Sequence, residues 1–174
     1  DLGGTKLILP MGAVARAPTP EKGVIHLHGE PKMEGQTTHD LSGPIALRAM
    51  LMTRPFLGAP YLWGGRTPWG VDCSGFTQMV YLLGGLKLPR DAWQQAEKGE
   101  AVLKLSDVRP GDLAFFANSE GRIVHVGFIL PGPNAQHIVH ASGMVRLDRL
   151  EEEGILHLQE KVITHKLAVI KRYT

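Results

Sequence analysis

From residue 42 onward, helix-like segments come first and strand-like segments follow. Two segments have apolar residues at helical spacing, LSGPIALRAMLMTRP and CSGFTQMVYLL. Four short strand-like segments with turn signals between them come next, RPGDLAFFA, IVHVGFIL, QHIVHAS and HKLAVIKRY. Helices and strands that are segregated along a chain are typical of an α+β domain, whereas a parallel sheet needs strands and helices in alternation. The sequence therefore predicts N-terminal helices packed on an antiparallel sheet.

Both predicted helices have recognisable ends. Ser42 can cap the first helix, Pro44 suits its first turn and Pro55 ends it. Gly84 and Gly85 stop the second helix. The apolar residues of the second helix recur on one face, at positions i, i+3, i+4 and i+7: Phe76, Met79, Val80 and Leu83. This face is expected to pack on the sheet.

The first 40 residues predict a separate small β module. They are rich in glycine and proline, and they contain two strand-like runs, TKLILP and GVIHLHG, around the turn-prone RAPTPEKG. A chain of 174 residues is long enough for one domain with a sizeable core and a small appendage. We therefore predict a β module and linker at residues 1–40 and one larger domain at residues 41–174.

The charge pattern argues against nucleic acid as a partner. The 19 basic and 17 acidic residues are mixed along the chain, and no basic block is present to follow a phosphate backbone. No run approaches the ~18 apolar residues that a membrane span needs, so no transmembrane segment is predicted. The chain starts at Asp1 without a signal-like segment, and we interpret it as processed or truncated.

The single cysteine, Cys73, lies where a glycine-rich loop gives way to the second helix. The unpaired amides and the dipole of a helix N-terminus stabilise a thiolate, which is the nucleophilic form of cysteine, so a lowered pKa is expected for this thiol. The alternative is a buried structural cysteine, which is the commoner role of an isolated one. A single cysteine also excludes an intrachain disulfide.

Histidines on two predicted strands favour the reactive role of the cysteine. His125 lies on IVHVGFIL with Gly127 on the same face, which leaves room beside the imidazole, and QHIVHAS offers His137 and His140. A thiol, a base and a residue that orients the base are what nucleophilic acyl transfer requires. A cysteine and two histidines can also hold a catalytic zinc ion, and this alternative stays open here. The other histidines show no partner pattern and are interpreted as surface or locally satisfied: His26, His28, His39, His157 and His165.

Six fragments together carry a family resemblance. They are, in chain order, YLWGG, DCSGF, LPRDAWQQ, RPGDLAFF, HVGFIL and VHASG. In this order they resemble the NlpC/P60 family of bacterial cell-wall cysteine peptidases, from about residue 42 to the end of the chain. The resemblance implies a papain-like α+β fold and hydrolysis of murein stem peptides, most often at the bond between γ-D-glutamate and the following diamino acid.

The resemblance also implies a setting for the protein. The expected partner is a peptidoglycan stem peptide or muropeptide, and no metal or cofactor is expected. The implied location is the bacterial cell envelope, periplasmic or secreted, with cytoplasmic recycling of murein peptides as the alternative. The protein is expected to be a monomer.

The resemblance assigns three catalytic roles. Cys73 in DCSG would be the nucleophile, His125 in HVG the base, and His140 in VHAS the residue that orients the base. The connection LPGPNAQ is longer than is common in the family, which leaves His137 as an alternative for the third role. Strand alternation puts His137 on the face opposite His140, so His140 is preferred. The order of the motifs favours this thiol chemistry over a zinc site.

Substrate binding is implied for residues next to the nucleophile. In related enzymes that trim peptides with a free N-terminal L-alanine, the positions of Tyr61 and Asp72 bind the substrate. Asp72 can equally serve as a helix cap, and the two roles are compatible. Ser74 is expected to line the cleft, and Ala92 stands where the family often has a small hydroxyl residue.

Two further expectations follow from the family. The β fragment at residues 1–40 resembles the end of a bacterial SH3-like module, which often precedes this catalytic domain. A catalytically silent domain that binds murein peptides is the alternative function, because it would need the same cleft but not the reactive pair. The presence of Cys73, His125 and a third histidine argues for the enzyme.

Overall fold

The computed structural model describes residues 24–26, 32–34, 44–132 and 135–174, and the chain divides into two compact units, Asp1–Ser42 and Gly43–Thr174. In the first unit, β1 (Val24–His26) and β2 (Lys32–Glu34) pair antiparallel. The predicted strand TKLILP lies outside the described residues. Most of the predicted SH3-like module also lies outside them, so this module stays a prediction.

The second unit starts with short helices. Helix α1 spans Ile45–Leu51 and is followed by a 3-10 turn at Arg54–Phe56, while α2 spans Cys73–Leu83 and α3 spans Ala92–Ala96. Both predicted helices are confirmed, although the N-cap of α1 is Pro44 instead of Ser42, and α1 ends at Leu51, before the 3-10 turn that contains Pro55. Among the helices of the described residues, none has the length and apolar character needed to cross a membrane.

Helix α2 is held by its apolar face and by its capped start. Phe76 and Val80 are fully buried and Met79 is nearly so, as the helical spacing predicts. The ring of Phe76 meets that of Phe56 edge to face, with 5.7 Å between the ring centroids. Burying such side chains stabilises the fold by about 1.5–3 kcal/mol each. The helix packs on α1 and on the sheet, so its first residue has a fixed position.

The sheet is antiparallel and closes on itself. Its strands are β5 (Glu100–Val102), β6 (Leu113–Ala117), β7 (Ile123–Pro131), β8 (Gln136–Ser142), β9 (Met144–Leu150), β10 (Gly154–Leu156) and β11 (Ile163–Arg172). Their order is β10-β9-β8-β7-β6-β11-β5. Because β10 pairs with β11 as well as with β9, the six strands β6 to β11 form a closed barrel, with β5 added outside. The two-residue strands β3 (Arg66–Thr67) and β4 (Gly70–Val71) pair separately before α2.

The four predicted strands are confirmed as β6, β7, β8 and β11, and the α+β fold with helices on an antiparallel sheet is confirmed with them. Three strands of this sheet were not predicted, namely β5, β9 and β10. One core cluster brings together residues of six sheet strands and includes Phe116, Ile129, Ile138, Leu150 and Ile155. This packing fixes β7, β8 and β9 side by side, which positions the polar residues described next.

Candidate active site

Cys73 is the first residue of α2 and lies against β7. Its side chain is 7% exposed, and the backbone N–H groups of Val126 and Ser74 lie near the sulfur. Burial raises the pKa of the thiol above its usual value, and the charge of Asp72 raises it further, while the nearby backbone N–H groups oppose both. The prediction that the helix start lowers the pKa of the Cys73 thiol is therefore wrong. The helix start does supply N–H donors, but burial of the sulfur destabilises the thiolate more than these donors stabilise it.

His125 and His140 are joined across β7 and β8. Nε2 of His125 lies 2.8 Å from Nδ1 of His140, with the ring planes 85° apart. Residue Gly127 faces His140 in the strand register, and a Cβ atom at this position would come within 2.9 Å of the His140 Cβ. The glycine therefore provides the space in which the two imidazoles meet.

His137 is not part of this pair. It lies opposite Leu130 on β7 and three residues before His140 on β8. Since side chains alternate along a strand, His137 belongs to the other face of the sheet. Of the two histidines that the sequence left as candidates for orienting His125, the structure brings only His140 to it.

His140 is linked in turn to Asp148 on β9, a residue that the sequence reasoning missed. Nε2 of His140 lies 3.0 Å from Oδ2 of Asp148, and both side chains are almost fully buried. Arg146 Nε donates to the same oxygen at 2.8 Å, and the backbone N–H of Leu158 donates to Oδ1 at 3.0 Å. Burial opposes ionisation, but these three partners hold the pKa of the Asp148 carboxyl well below its usual range.

His165 on β11 stacks on His125, which the sequence did not predict. The ring centroids are 4.2 Å apart and the planes differ by 27°. His165 is locally satisfied as expected, since its Nδ1 is hydrogen bonded with Oγ1 of the neighbouring Thr164 at 2.8 Å, but closure of the barrel also brings its ring to the site. His157 is locally satisfied as expected, since its Nδ1 accepts from the backbone N–H of Glu160.

The stacked pair is held in its neutral form. Burial lowers the pKa of His125 well below the usual value, and the neighbouring His140, His165 and Arg146 add to this effect. Burial also lowers the pKa of His165, to about 4. At neutral pH, His125 is therefore an uncharged imidazole that is able to take up a proton.

Asp72 binds donors from three directions. It caps α2 by accepting from the N–H of Gly75 at 2.7 Å, and it accepts from the N–H of Gly64 at 2.8 Å. Arg90 forms a two-pronged ion pair with it, one prong being the 3.0 Å bond from Nη1 to Oδ1. Burial opposes ionisation, yet the bonds from Arg90, Gly75 and Gly64 hold the pKa of Asp72 below its usual value. The predicted capping role is confirmed, and Arg90 is a partner that sequence reasoning missed although LPRD contains it.

The other two predicted binding residues lie beside this ion pair. Ser74 Oγ accepts from Arg90 Nη1 at 2.9 Å. Tyr61 is 37% exposed, and its pKa is raised by burial and by the neighbouring Cys73 and Asp72. Residues Tyr61, Asp72 and Ser74 are thus gathered around the first turn of α2. Their contact with a substrate stays a prediction.

A sequence profile described as the NlpC/P60 family matches residues 58–166, which is more than half of the chain. The chain belongs to the NlpC/P60 family. This is a family of peptidoglycan hydrolases, and the resemblance drawn from the six sequence motifs is confirmed.

Two relatives illustrate how close the NlpC/P60 match is. The chain is 39% identical over 119 residues to the γ-D-glutamyl-L-lysine dipeptidyl-peptidase of Bacillus subtilis strain 168, which covers 67% of this chain and 37% of that protein. The crystal structure of an NlpC/P60 family protein from Bacillus cereus ATCC 10987 is 31% identical, with a TM-score of 0.62, over 77% of this chain and 42% of that chain. The chain thus spans a little over a third of the curated relative's length.

The NlpC/P60 fold also occurs in a protein without catalysis. RipD of Mycobacterium tuberculosis, described as a non-catalytic NlpC/p60 domain protein adapted to peptidoglycan binding, is 23% identical with a TM-score of 0.56. The match covers 76% of this chain and 99% of that one. At this identity the likeness shows the fold alone, so the chemistry of an NlpC/P60 domain has to be argued from its own residues.

The site chemistry does not favour a zinc ion. Within the residues that the structure describes, no group of three or more His, Cys, Asp or Glu side chains is arranged to hold a metal ion. Both ring nitrogens of His140 are engaged, one with His125 and the other with Asp148. His140 therefore has no ring nitrogen left to bind a metal in this arrangement.

Proposed function

We propose that this chain is a cysteine peptidase that hydrolyses murein stem peptides, at the bond between γ-D-glutamate and the following diamino acid. The observation that carries the proposal is the position of the Cys73 thiol against β7, one residue along from His125, which is itself joined to His140. A thiol, a neutral imidazole and a second group that orients the imidazole are the components of nucleophilic acyl transfer. The name of the Bacillus subtilis relative supports the choice of bond.

In the proposed mechanism the thiol is deprotonated as it attacks. Because the pKa of Cys73 is raised and that of His125 is lowered, the resting pair is a neutral thiol and a neutral imidazole, not a thiolate and an imidazolium. His125 takes the thiol proton while the sulfur adds to the scissile carbonyl. The backbone N–H of Cys73 at the helix start would hold the developing oxyanion, a contribution whose loss typically costs on the order of 10²-fold in rate.

The remaining steps return the enzyme to its starting state. Protonated His125 gives its proton to the amine of the diamino acid, the C–N bond breaks, and the γ-D-glutamyl group stays on Cys73 as a thioester. Water then adds to the thioester carbonyl and loses a proton to His125. The C–S bond breaks, the thiol is reprotonated, and the γ-carboxyl group of the product is released.

The proposed substrate is a short peptide whose free N-terminal amine binds beside Asp72. Tyr61 and Ser74 flank this position, and the phenol of Tyr61 is partly exposed. An incoming ammonium group would share the Asp72 carboxylate with Arg90, which already occupies both carboxylate oxygens. A murein substrate would put the protein in the bacterial cell envelope, periplasmic or secreted, whereas recycled free peptides would put it in the cytoplasm. A monomer suffices for this chemistry.

Mass spectrometry of peptide digests tests the proposal. The substrates are L-Ala-γ-D-Glu-L-Lys and its meso-diaminopimelate analogue, each with a free and with an acetylated N-terminus. We expect release of the diamino acid from the free peptides and little from the blocked ones, and no release by Cys73→Ala. Since Cys73 is the single cysteine, iodoacetamide is expected to abolish turnover through this one residue.

Three outcomes would overturn the proposal. Turnover by Cys73→Ala, or inhibition by a chelator but not by iodoacetamide, would refute the thiol mechanism. Binding of the free peptides by fresh, reduced protein without any release of diamino acid would instead favour a silent peptide-binding domain.

A further inference from the structure

We infer that Asp148 is a positioning residue that fixes the tautomers of His140 and His125, so that the lone pair of His125 is left on Nδ1. The inference rests on the proposed function, because it explains how His125 is prepared to take a proton from Cys73. It concerns a residue of β9 that is 2% exposed and contacts His140 on the side away from His125.

The tautomer of His140 follows from the state of Asp148. The carboxylate is buried, with 2% of the residue exposed, and Arg146 and the N–H of Leu158 keep it ionised. An ionised carboxylate only accepts hydrogen bonds, so the 3.0 Å contact requires the proton of His140 to be on Nε2. Burial lowers the pKa of His140 below its usual value although Asp148 opposes this effect, so the ring is neutral and carries one proton, which leaves Nδ1 as an acceptor.

The tautomer of His140 in turn determines the tautomer of His125. Its Nε2 lies 2.8 Å from the accepting Nδ1 of His140, so Nε2 of His125 carries the proton and donates it. Nδ1 of His125 is then unprotonated. It is also the ring nitrogen that is not engaged with His140, and hence the one left for the thiol of Cys73. The chain of donors from His125 through His140 thus ends on Asp148 and points in one direction.

Arg146 prevents the proton on Nε2 of His140 from moving to Asp148. It shares Oδ2 of Asp148 with His140, with its Nε at 2.8 Å, and its Nη1 donates to the carbonyl of Ser142 at 2.7 Å. A carboxylate paired with a guanidinium is a weak proton acceptor, so the proton stays on His140 instead of moving to the acid. Arg146 therefore holds Asp148 in the acceptor form on which both histidine tautomers depend.

Replacing Asp148 by asparagine would allow the hydrogen bonds between residue 148, His140 and His125 to reverse their direction. Asparagine has one acceptor oxygen, which in this variant takes the N–H of Leu158, while its NH₂ group replaces Oδ2 and Arg146 Nε loses this acceptor. The NH₂ group then donates to Nε2 of His140, which carries its proton on Nδ1 and donates to Nε2 of His125. His125 would present an N–H at Nδ1 and have no lone pair there for the thiol. Because positioned general bases contribute about 10²- to 10⁴-fold, we expect kcat to fall within that range.

Asp112→Asn is the matched control. Asp112 is also buried, and it accepts from Arg172 Nε at 2.9 Å, from Arg172 Nη2 at 2.7 Å and from the N–H of Arg109 at 2.8 Å. The substitution removes an equivalent buried carboxylate beside an arginine, but its partners include no histidine. It is expected to lower stability as Asp148→Asn does while leaving kcat close to the original value.

The test combines kinetics with nitrogen-15 NMR of histidine-labelled full chain. Hydrolysis of L-Ala-γ-D-Glu-L-Lys gives kcat for the original protein, Asp148→Asn and Asp112→Asn. The NMR spectra, recorded in a Cys73→Ala background, report which ring nitrogen of each histidine is protonated and need no activity. We expect protonated Nε2 on His125 and His140 in the original chain and in the Asp112→Asn control, with protonated Nδ1 on both in Asp148→Asn.

Several results would overturn the inference. One is a protonated Nδ1 on His125 in the chain that retains Asp148. This result refutes the inference even if Asp148→Asn does not fold. Another is an Asp148→Asn variant whose tautomers are unchanged, or whose kcat equals that of Asp112→Asn. Failure of the proposed function is recognised separately, because the original chain would then release no diamino acid while the tautomers are still read by NMR.

Discussion

Replacing Arg90 by methionine removes the charge that faces Asp72 and keeps most of the aliphatic side chain. Asp72 then loses the two-pronged ion pair but retains the hydrogen bonds from the N–H groups of Gly64 and Gly75. The carboxylate is therefore left buried but not without partners. This perturbation isolates how much the ion pair stabilises the loop and helix that hold Cys73.

The expected cost lies between those of a buried and a surface ion pair. Removing one partner of a fully buried pair costs about 3–5 kcal/mol, whereas an exposed pair contributes about 0–1 kcal/mol. Asp72 is buried, but the Arg90 side chain is 31% exposed, so water screens the pair in part. We expect Arg90→Met to lower the free energy of unfolding by about 2 kcal/mol, or Tm by roughly 7 °C for a unit of this size.

Thermal and urea unfolding of the Arg90→Met chain measure this cost, with Arg122→Met as the control. Arg122 pairs with Glu120 at 3.3 Å, but the two side chains are 78% and 63% exposed, so its loss should change stability by less than about 0.5 kcal/mol. Because the folded-state pKa of Asp72 is lowered, the stabilisation is present above about pH 4 and is lost as pH falls through the folded-state pKa. Equal stability of Arg90→Met and the original chain at pH 7, or an undiminished difference at low pH, would refute the reasoning.

Three further predictions concern the histidines. His165→Phe should keep a ring stacked on His125 and nearly full kcat, whereas His165→Ala should lose about 3- to 10-fold; equal rates would contradict the stacking role. Gly127→Ala would bring a Cβ within 2.6 Å of Ile138 and 2.9 Å of His140, so Tm and kcat/KM should both fall, and unchanged values would show that the site accepts a methyl group. Since the base must be neutral and the pKa of His125 is lowered, kcat/KM should fall with decreasing pH only below pH 6.5, and an acid limb above this value would contradict the assignment.

Much of the fold is readable from the sequence because local spacing determines it. The apolar face of α2 and the strands around His125 and His140 follow from periods of 3.6 and 2 residues. Strand β9 is not predicted because it reverses the usual pattern: Leu147 is 43% exposed while Asp148 is 2% exposed. Its role becomes visible only when β8 and β9 are paired.

The candidate site is readable in part for the same reason. Cys73, Asp72 and Ser74 are neighbours along the chain, and Gly127 marks the place where His140 meets His125. Contacts that depend on closure of the barrel have no local signal, and the stacking of His165 on His125 is one of them. The pKa of Cys73 was misjudged because the helix start is visible in the sequence and the burial of the sulfur is not.

Trapping the acyl-enzyme tests the central chemistry most directly. The chain is mixed with L-Ala-γ-D-Glu-L-Lys, quenched in acid during turnover, and its intact mass and peptide map are recorded. We expect an added L-Ala-γ-D-Glu group on the peptide that contains Cys73, and no such adduct on Cys73→Ala. Hydrolysis that continues without an adduct on Cys73, or that survives the Cys73→Ala substitution, would contradict this chemistry.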